Sequence, residues 1–159
     1  DIKLLDDQTA EWATDKALAV TKTWLTKYGD KINGIWAAND GMALGATEAL
    51  RAAGKIGKVE VVGTDAAPDA VAHVQNGEQV ATVAYDGYWQ GGAGLAMGYQ
   101  VLTGAIDIAK LEPAKREFYA KQTLVTKNNA ANFTAEPDAS KYAEEFKNPW
   151  SRLDSPITY

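Results

Sequence analysis

The stretch Ile35–Asp65, IWAANDGMALGATEALRAAGKIGKVEVVGTD, decides how the rest of this chain is read. It sits on an apolar run, Gly34 to Ala38, that stops abruptly at Asn39-Asp40. Small residues at helical spacing follow over Gly41 to Ala53, with Asn39 or Asp40 as N-cap and Gly54 as the stop. A second apolar run, Val59 to Gly63, ends in Thr64-Asp65. Two strands joined by one helix form a crossover unit of the kind that builds parallel sheets. In an open parallel sheet, ligands bind beyond the carboxyl ends of the strands. Here those ends carry an amide and a carboxylate, with no nucleophile beside them. Such a site suits holding a ligand rather than transforming it.

Composition narrows the partners. The chain has 159 residues, 46% hydrophobic and 23% charged, which is enough for one domain with a real core. Its net charge of −5 and scattered lysines argue against nucleic acid, which demands clustered Lys and Arg. The absence of cysteine excludes disulfides and thiolate metal sites. No apolar stretch approaches the roughly 20 residues needed to span a bilayer as a helix. The chain begins at Asp1 without an initiator Met or signal peptide, so it reads as part of a longer product.

Outward from the opening stretch, short apolar runs alternate with helical periods, the pattern of an α/β fold with a mainly parallel sheet. Ile2 to Leu5 is expected as a strand, and Ala10 to Tyr28 as an amphipathic helix carrying Trp12, Leu18, Val20, Trp24 and Leu25. Pro68 to Gln75 reads as a short helix, Asn76-Gly77 as a turn, and Val80 to Tyr85 as a strand. Tyr88 to Leu102 is a Gly- and Ala-rich helix, and Lys115 to Val125 holds the last strand, best placed at Gln122 to Val125. Beyond Asn128 the character changes: one short helix is expected within Ala135 to Lys147, and Asn148 to Tyr159 shows no period.

The order of strand, ND-helix, strand, G-x-D, short helix, N-G and A-T-V-A strand resembles the C-terminal lobe of a type I periplasmic binding protein. The likeness is greatest to the ribose-binding-like sugar receptors of bacterial ABC transporters. Trp36 to Gly54, Val61 to Ala70 and Asn76 to Asp86 carry it, with Asp6 to Leu18 resembling the segment that enters that lobe. The resemblance implies a three-layer αβα lobe over residues 1–127, with hinge-crossing segments near 86–126. Residues 128–159 would be a C-terminal extension wrapping the surface. It also implies a non-enzymatic solute-binding protein of the bacterial periplasm or another extracytoplasmic space. Its partners would be a small-molecule sugar, a missing N-terminal lobe of the same protein and a membrane permease, with no cofactor, metal or nucleic acid.

Five residues are candidate ligand contacts. Asn39 donates and accepts at once, matching adjacent hydroxyls, although helix capping is its competing task. Asp65 accepts two charge-assisted hydrogen bonds, and the resemblance puts a sugar-binding Asp there; its alternative is a cap or turn carboxylate. Trp12 stands where the family presents an aromatic ring to a sugar's C–H face, against the alternative of a core Trp packed with Trp24. The resemblance implies a polar ligand contact at the end of A-T-V-A, for which Tyr85 and Asp86 compete. The Asp6-Asp7-Gln8 cluster reads as solvated loop. His73, the only histidine, reads as a partly exposed helix residue and supports neither a His-based metal site nor a triad. Gly91, Gly92, Gly94 and Gly98 match no phosphate loop and read as small residues for close packing.

Two other functions share parts of this pattern. The effector-binding domain of a sugar-responsive LacI-type transcription repressor has the same ND and G-x-D elements, but Gly63-Thr64-Asp65-Ala66 stands where repressors usually carry G-F-D-D. An α/β enzyme using Asp40 and Asp65 as an acid–base pair would need a nucleophile elbow, metal cluster or cofactor loop, and the sequence has none.

Overall fold

The computed structural model describes residues 2–133 and 139–156. In chain order the elements are α1 (Thr14–Tyr28), β1 (Gly34–Trp36), α2 (Asp40–Ala52), β2 (Glu60–Thr64), α3 (Pro68–Asn76) and β3 (Ala81–Ala84). There follow α4 (Gly87–Leu102), α5 (Pro113–Arg116), β4 (Phe118–Ala120), β5 (Thr123–Thr126), α6 (Ala139–Glu145) and β6 (Leu153–Pro156). They form two units. The first runs through Ala84 and resumes at Leu124; the second holds Tyr85–Thr123 and the described C-terminal residues.

In the first unit four strands lie in the order β1-β2-β3-β5, with β1–β2 and β2–β3 parallel. The strands β1, β2 and β3 follow one another in sequence and in space, with α2 and α3 as the crossovers that parallel pairing requires. Alternation along β1 and β2 then sorts the side chains. Ile35 and Val61 point into a core with Ala43, Ala46 and Leu50 of α2, closed by Trp24, Leu25 and Tyr28 of α1. Trp36, one residue on from Ile35, is exposed. A second cluster joins Val71 and Val74 of α3 to Val125 and Ala130. Helix α3 ends as its sequence dictates: Gly77 adopts φ 77°, and the Gly77 and Glu78 amides bond back to the Val74 and His73 carbonyls.

Three expectations change here. Ile2 to Leu5 is not a strand; Ile2 and Leu4 are exposed and have no paired neighbour among the described residues. An apolar run becomes a strand only where an edge receives its backbone groups. Helix α1 begins at Thr14 rather than Ala10, because Ala10–Ala13 closes a tight turn through Ala13 N–H to the Ala10 carbonyl. The Lys115 to Val125 region divides into two strands, β4 and β5, behind the short α5 that Pro113 starts.

In the second unit, β4 pairs antiparallel with β6 across a register shift at Tyr119/Ala120. Strand β6 lies where the sequence shows no period, since its order comes from its partner strand. The α6 helix falls inside the expected 135–147 window, while positions 134–138 and 157–159 of the tail lie outside the described residues. Among the described residues, of the α4 glycines only Gly92 meets a neighbour, the Phe146 ring, whereas Gly91, Gly94 and Gly98 have none within reach of a Cβ. His73 sits in the last turn of α3, paired with Glu78.

Helix α1 packs tightly on α2. A Cβ on Gly45 would overlap the Thr14 carbonyl oxygen and crowd the Leu18 amide, both rigid backbone. Ala is the better helix former by about 1 kcal/mol, yet overpacking of this kind costs about 1–3 kcal/mol. Gly45→Ala is therefore expected to lower the urea unfolding midpoint of the chain, against the propensity trend.

Candidate ligand-binding edge

At the carboxyl end of β1 the chain turns into α2 at Asn39. Its extended backbone (φ −146°, ψ 166°) and its Oδ1, which accepts from the Met42 amide at 2.9 Å, make it the helix N-cap. Asp40 does not serve as the cap. The capping bond uses one Oδ1 lone pair and leaves the Nδ2 protons, one of which reaches the Trp12 carbonyl at the outer limit of 3.5 Å. Asn39 is half-buried and stands at the rim of the sheet.

Trp12 is not a core residue. Glu11 and Trp12 take φ 51° and 61° in the tight turn before α1, and the indole is 68% exposed. The same glycines that let α1 touch α2 set this turn beside Asn39: Gly41 lies under Thr14 Oγ1 and Gly45 under the Thr14 carbonyl. Trp24, the alternative partner, packs separately against the sheet core.

The end of β2 is built from three tied amides. Asp65 N–H donates to the Val83 carbonyl at 2.9 Å, Ala66 N–H to Thr82 Oγ1 at 3.1 Å, and Ala67 N–H to Asp40 Oδ2 at 2.7 Å. Thr82 in turn donates its hydroxyl to Asp40 Oδ1 at 2.8 Å. These bonds hold Asp65 at φ 126° and Ala66 at φ 56°, conformations that L-residues enter at a cost of about 1–3 kcal/mol each. Asp40 is fully buried, and a Cβ on Gly63 would overlap its Oδ1. Burial pushes the Asp40 carboxyl above its ordinary range, and the nearby Asp65 charge adds to this, while the Thr82, Ala67 and Ala66 donors pull the other way.

The register lines the two strand ends up. Trp36 lies opposite Val62, so Asn39 and Asp65 each stand three residues past a paired position. Trp12, Asn39 and Asp65 thus occupy one edge of the first unit. Tyr85 and Asp86 belong to the second unit. There Asp86 Oδ1 caps α4 through the Trp89 amide, and Oδ2 accepts from Tyr142 Oη and Arg152 Nη1. Burial works against ionisation of Asp86, but these donors together hold its carboxyl below the usual range. In the solvated cluster, Asp6 accepts from Tyr28 Oη and Lys27 Nζ.

Sequence reasoning missed the part played by Asp40, which it weighed only as a cap or an acid. Two signals pointed to it. A glycine inside a strand, Gly63, marks a close approach, and Thr82 is a polar residue inside an apolar run.

Residues 1–106 match a family model described as a periplasmic binding protein domain. The chain belongs to the periplasmic binding protein family. Among curated relatives, a xylitol-binding protein of Mycolicibacterium smegmatis is 35% identical over 129 residues, covering 81% of this chain and 35% of that protein. A crystal structure of a twin-arginine translocation pathway signal protein from Burkholderia phytofirmans aligns with 99% of this chain and 48% of its own, at 41% identity and TM-score 0.86. An ABC transporter periplasmic solute binding protein from Actinobacillus succinogenes, solved with D-allose, aligns with 84% of this chain and 44% of its own, at 34% identity and TM-score 0.72. This periplasmic binding protein chain therefore spans less than half the length of these relatives. Its α/β architecture is that of type I members, and relatives named for a function are binding proteins rather than enzymes.

Asp40 supplies a prediction with a definite sign. Asp40→Ala leaves the Ala67 amide and the Thr82 hydroxyl without their acceptor and is expected to cost about 2–3 kcal/mol in denaturant unfolding. A carboxyl whose folded pKa is raised stabilises the fold fully below its unfolded value, and that contribution is lost as pH rises through the folded value. The stability gap between wild type and Asp40→Asn should accordingly be widest in acid and narrow as pH climbs above the ordinary 3.8.

Proposed function

We propose that this chain is one lobe of a bacterial solute receptor that captures a sugar, a monosaccharide or related polyol, for an ABC importer. The observation that carries the reading is the shared edge where Asn39 and Asp65 stand at matched positions on neighbouring strands beside an exposed Trp12. An amide, a carboxylate and an indole meet the two faces of a pyranose or cyclitol. Hydroxyls take the charge-assisted and amide hydrogen bonds, and the C–H face takes the ring. Relatives named for xylitol and solved with D-allose support this ligand class. The strained turn at Asp65–Ala66 is what a preorganised contact would need, since its backbone is set before ligand arrives.

In this reading Trp12, Asn39 and Asp65 bind directly. An N-terminal lobe from the rest of the protein closes over the ligand by hinge motion, and the closed form docks on a membrane permease at the periplasmic face.

Isothermal titration of the full-length protein with xylitol, D-allose, D-ribose and myo-inositol tests the reading. Asp65→Ala and Trp12→Ala should each weaken binding of whichever ligand is accepted by at least ~1 kcal/mol. Unchanged affinity in both variants would remove this edge from the binding site. The isolated chain should bind far more weakly than the whole protein, because half the contacts and the closure are missing; nanomolar binding by the chain alone would contradict this.

A further inference from the structure

Within the second unit, one arginine ties together groups distant in sequence. Arg152 Nη1 donates to Asp86 Oδ2 at 2.9 Å, and its Nε donates to Glu145 Oε2 at 2.8 Å. Its guanidinium lies over the Trp89 ring at 5.3 Å and over the Tyr142 ring at 5.8 Å. Tyr142 donates its own hydroxyl to the same Asp86 oxygen at 2.6 Å and stacks on Phe146 with ring centroids 5.6 Å apart. Phe146 fills the notch left by Gly92, and its carbonyl accepts from Gln100 Nε2 at 3.1 Å. Further along, Trp150 Nε1 donates to the Lys115 carbonyl at 2.9 Å, and β6 pairs with β4. Arg152, Tyr142, Glu145 and Phe146 all lie outside the residues matched by the family model.

We infer that residues 139–156 form a strap whose Arg152, acting through Asp86, locks the first turn of α4. Asp86 is the junction. One oxygen caps the helix at the Trp89 amide, and the other is held by the strap through Tyr142 and Arg152. The forked guanidinium spans two carboxylates and lies over two aromatic rings, so its geometry is set by more than charge. Exposed single ion pairs contribute little, but a half-buried network that also caps a helix is coupled to that helix's local opening. Tyr142 is the partner whose acidity shows the coupling: burial and the adjacent Asp86 push its hydroxyl up to about 12. Gly92 supplies a second, uncharged hold, because any larger residue there displaces Phe146 from the helix.

Amide exchange followed by NMR on the full-length protein tests the strap directly and needs no ligand. In Arg152→Met, the Trp89 and Gln90 amides should exchange on the order of fivefold faster, while amides of α2 change less than about twofold. Gly92→Val should accelerate the same two amides without altering any charge. In an Asp86→Asn background, which keeps the cap acceptor and removes the charge, Arg152→Met should add less than about twofold. Unchanged exchange at Trp89 and Gln90 in both Arg152→Met and Gly92→Val would overturn the proposal. So would equal acceleration in α2, which marks global loosening, or an undiminished Arg152 effect in the Asp86→Asn background.

Discussion

The hydrogen bonds accepted by one buried carboxylate, Asp40, organise the edge on which the functional reading rests. Asp40 sits at the first position of α2 and reaches across to the loop after β2, where it takes the Ala67 amide, and to β3, where it takes the Thr82 hydroxyl. A buried charge is costly unless its lone pairs are filled, and here the donors come from two other elements. The result is mechanical. Three elements meeting at one side chain hold the Asp65–Ala66 backbone at positive φ, where L-residues are strained. Gly63 is part of the same arrangement, since only a residue without Cβ leaves room for Oδ1.

A second constraint, helix on helix, places the aromatic. Gly41 and Gly45 are one turn apart on α2 and face the start of α1, so the two backbones approach until Thr14 rests over both glycines. The turn that precedes Thr14 then projects the Trp12 indole outward instead of burying it. Core packing thus determines where an exposed side chain stands. The weak 3.5 Å contact from Asn39 to the Trp12 carbonyl follows from that approach and does not produce it.

Much of the chain through α4 was legible from periodicity. The bounds of α2, α3 and α4 fall within a residue or so of their sequence patterns, because caps, an N1 proline and terminal glycines act locally. The failures have a common cause. Ile2 to Leu5 has the composition of a strand but pairs with no strand among the described residues, and β6 has no strand pattern but finds β4. Strand formation is a property of pairs, and a single sequence reports only one member. The cap at Asn39 rather than Asp40 was similarly illegible, since both residue types cap equally well and only the neighbouring Thr82 and Ala67 decide between them.

The sequence by itself determined the α/β order, the two polar residues at strand ends and the family likeness, because turn chemistry and hydrophobic period are written in consecutive residues. Tertiary structure decided what each polar group does. It turned Asp40 into a buried brace, Asn39 into a helix cap, Trp12 into an exposed ring and Asp86 into the junction of a C-terminal strap. Each of those roles depends on which donors, acceptors and backbones arrive from elsewhere in the chain. Residue identity sets what a side chain can bind, and packing selects what it meets.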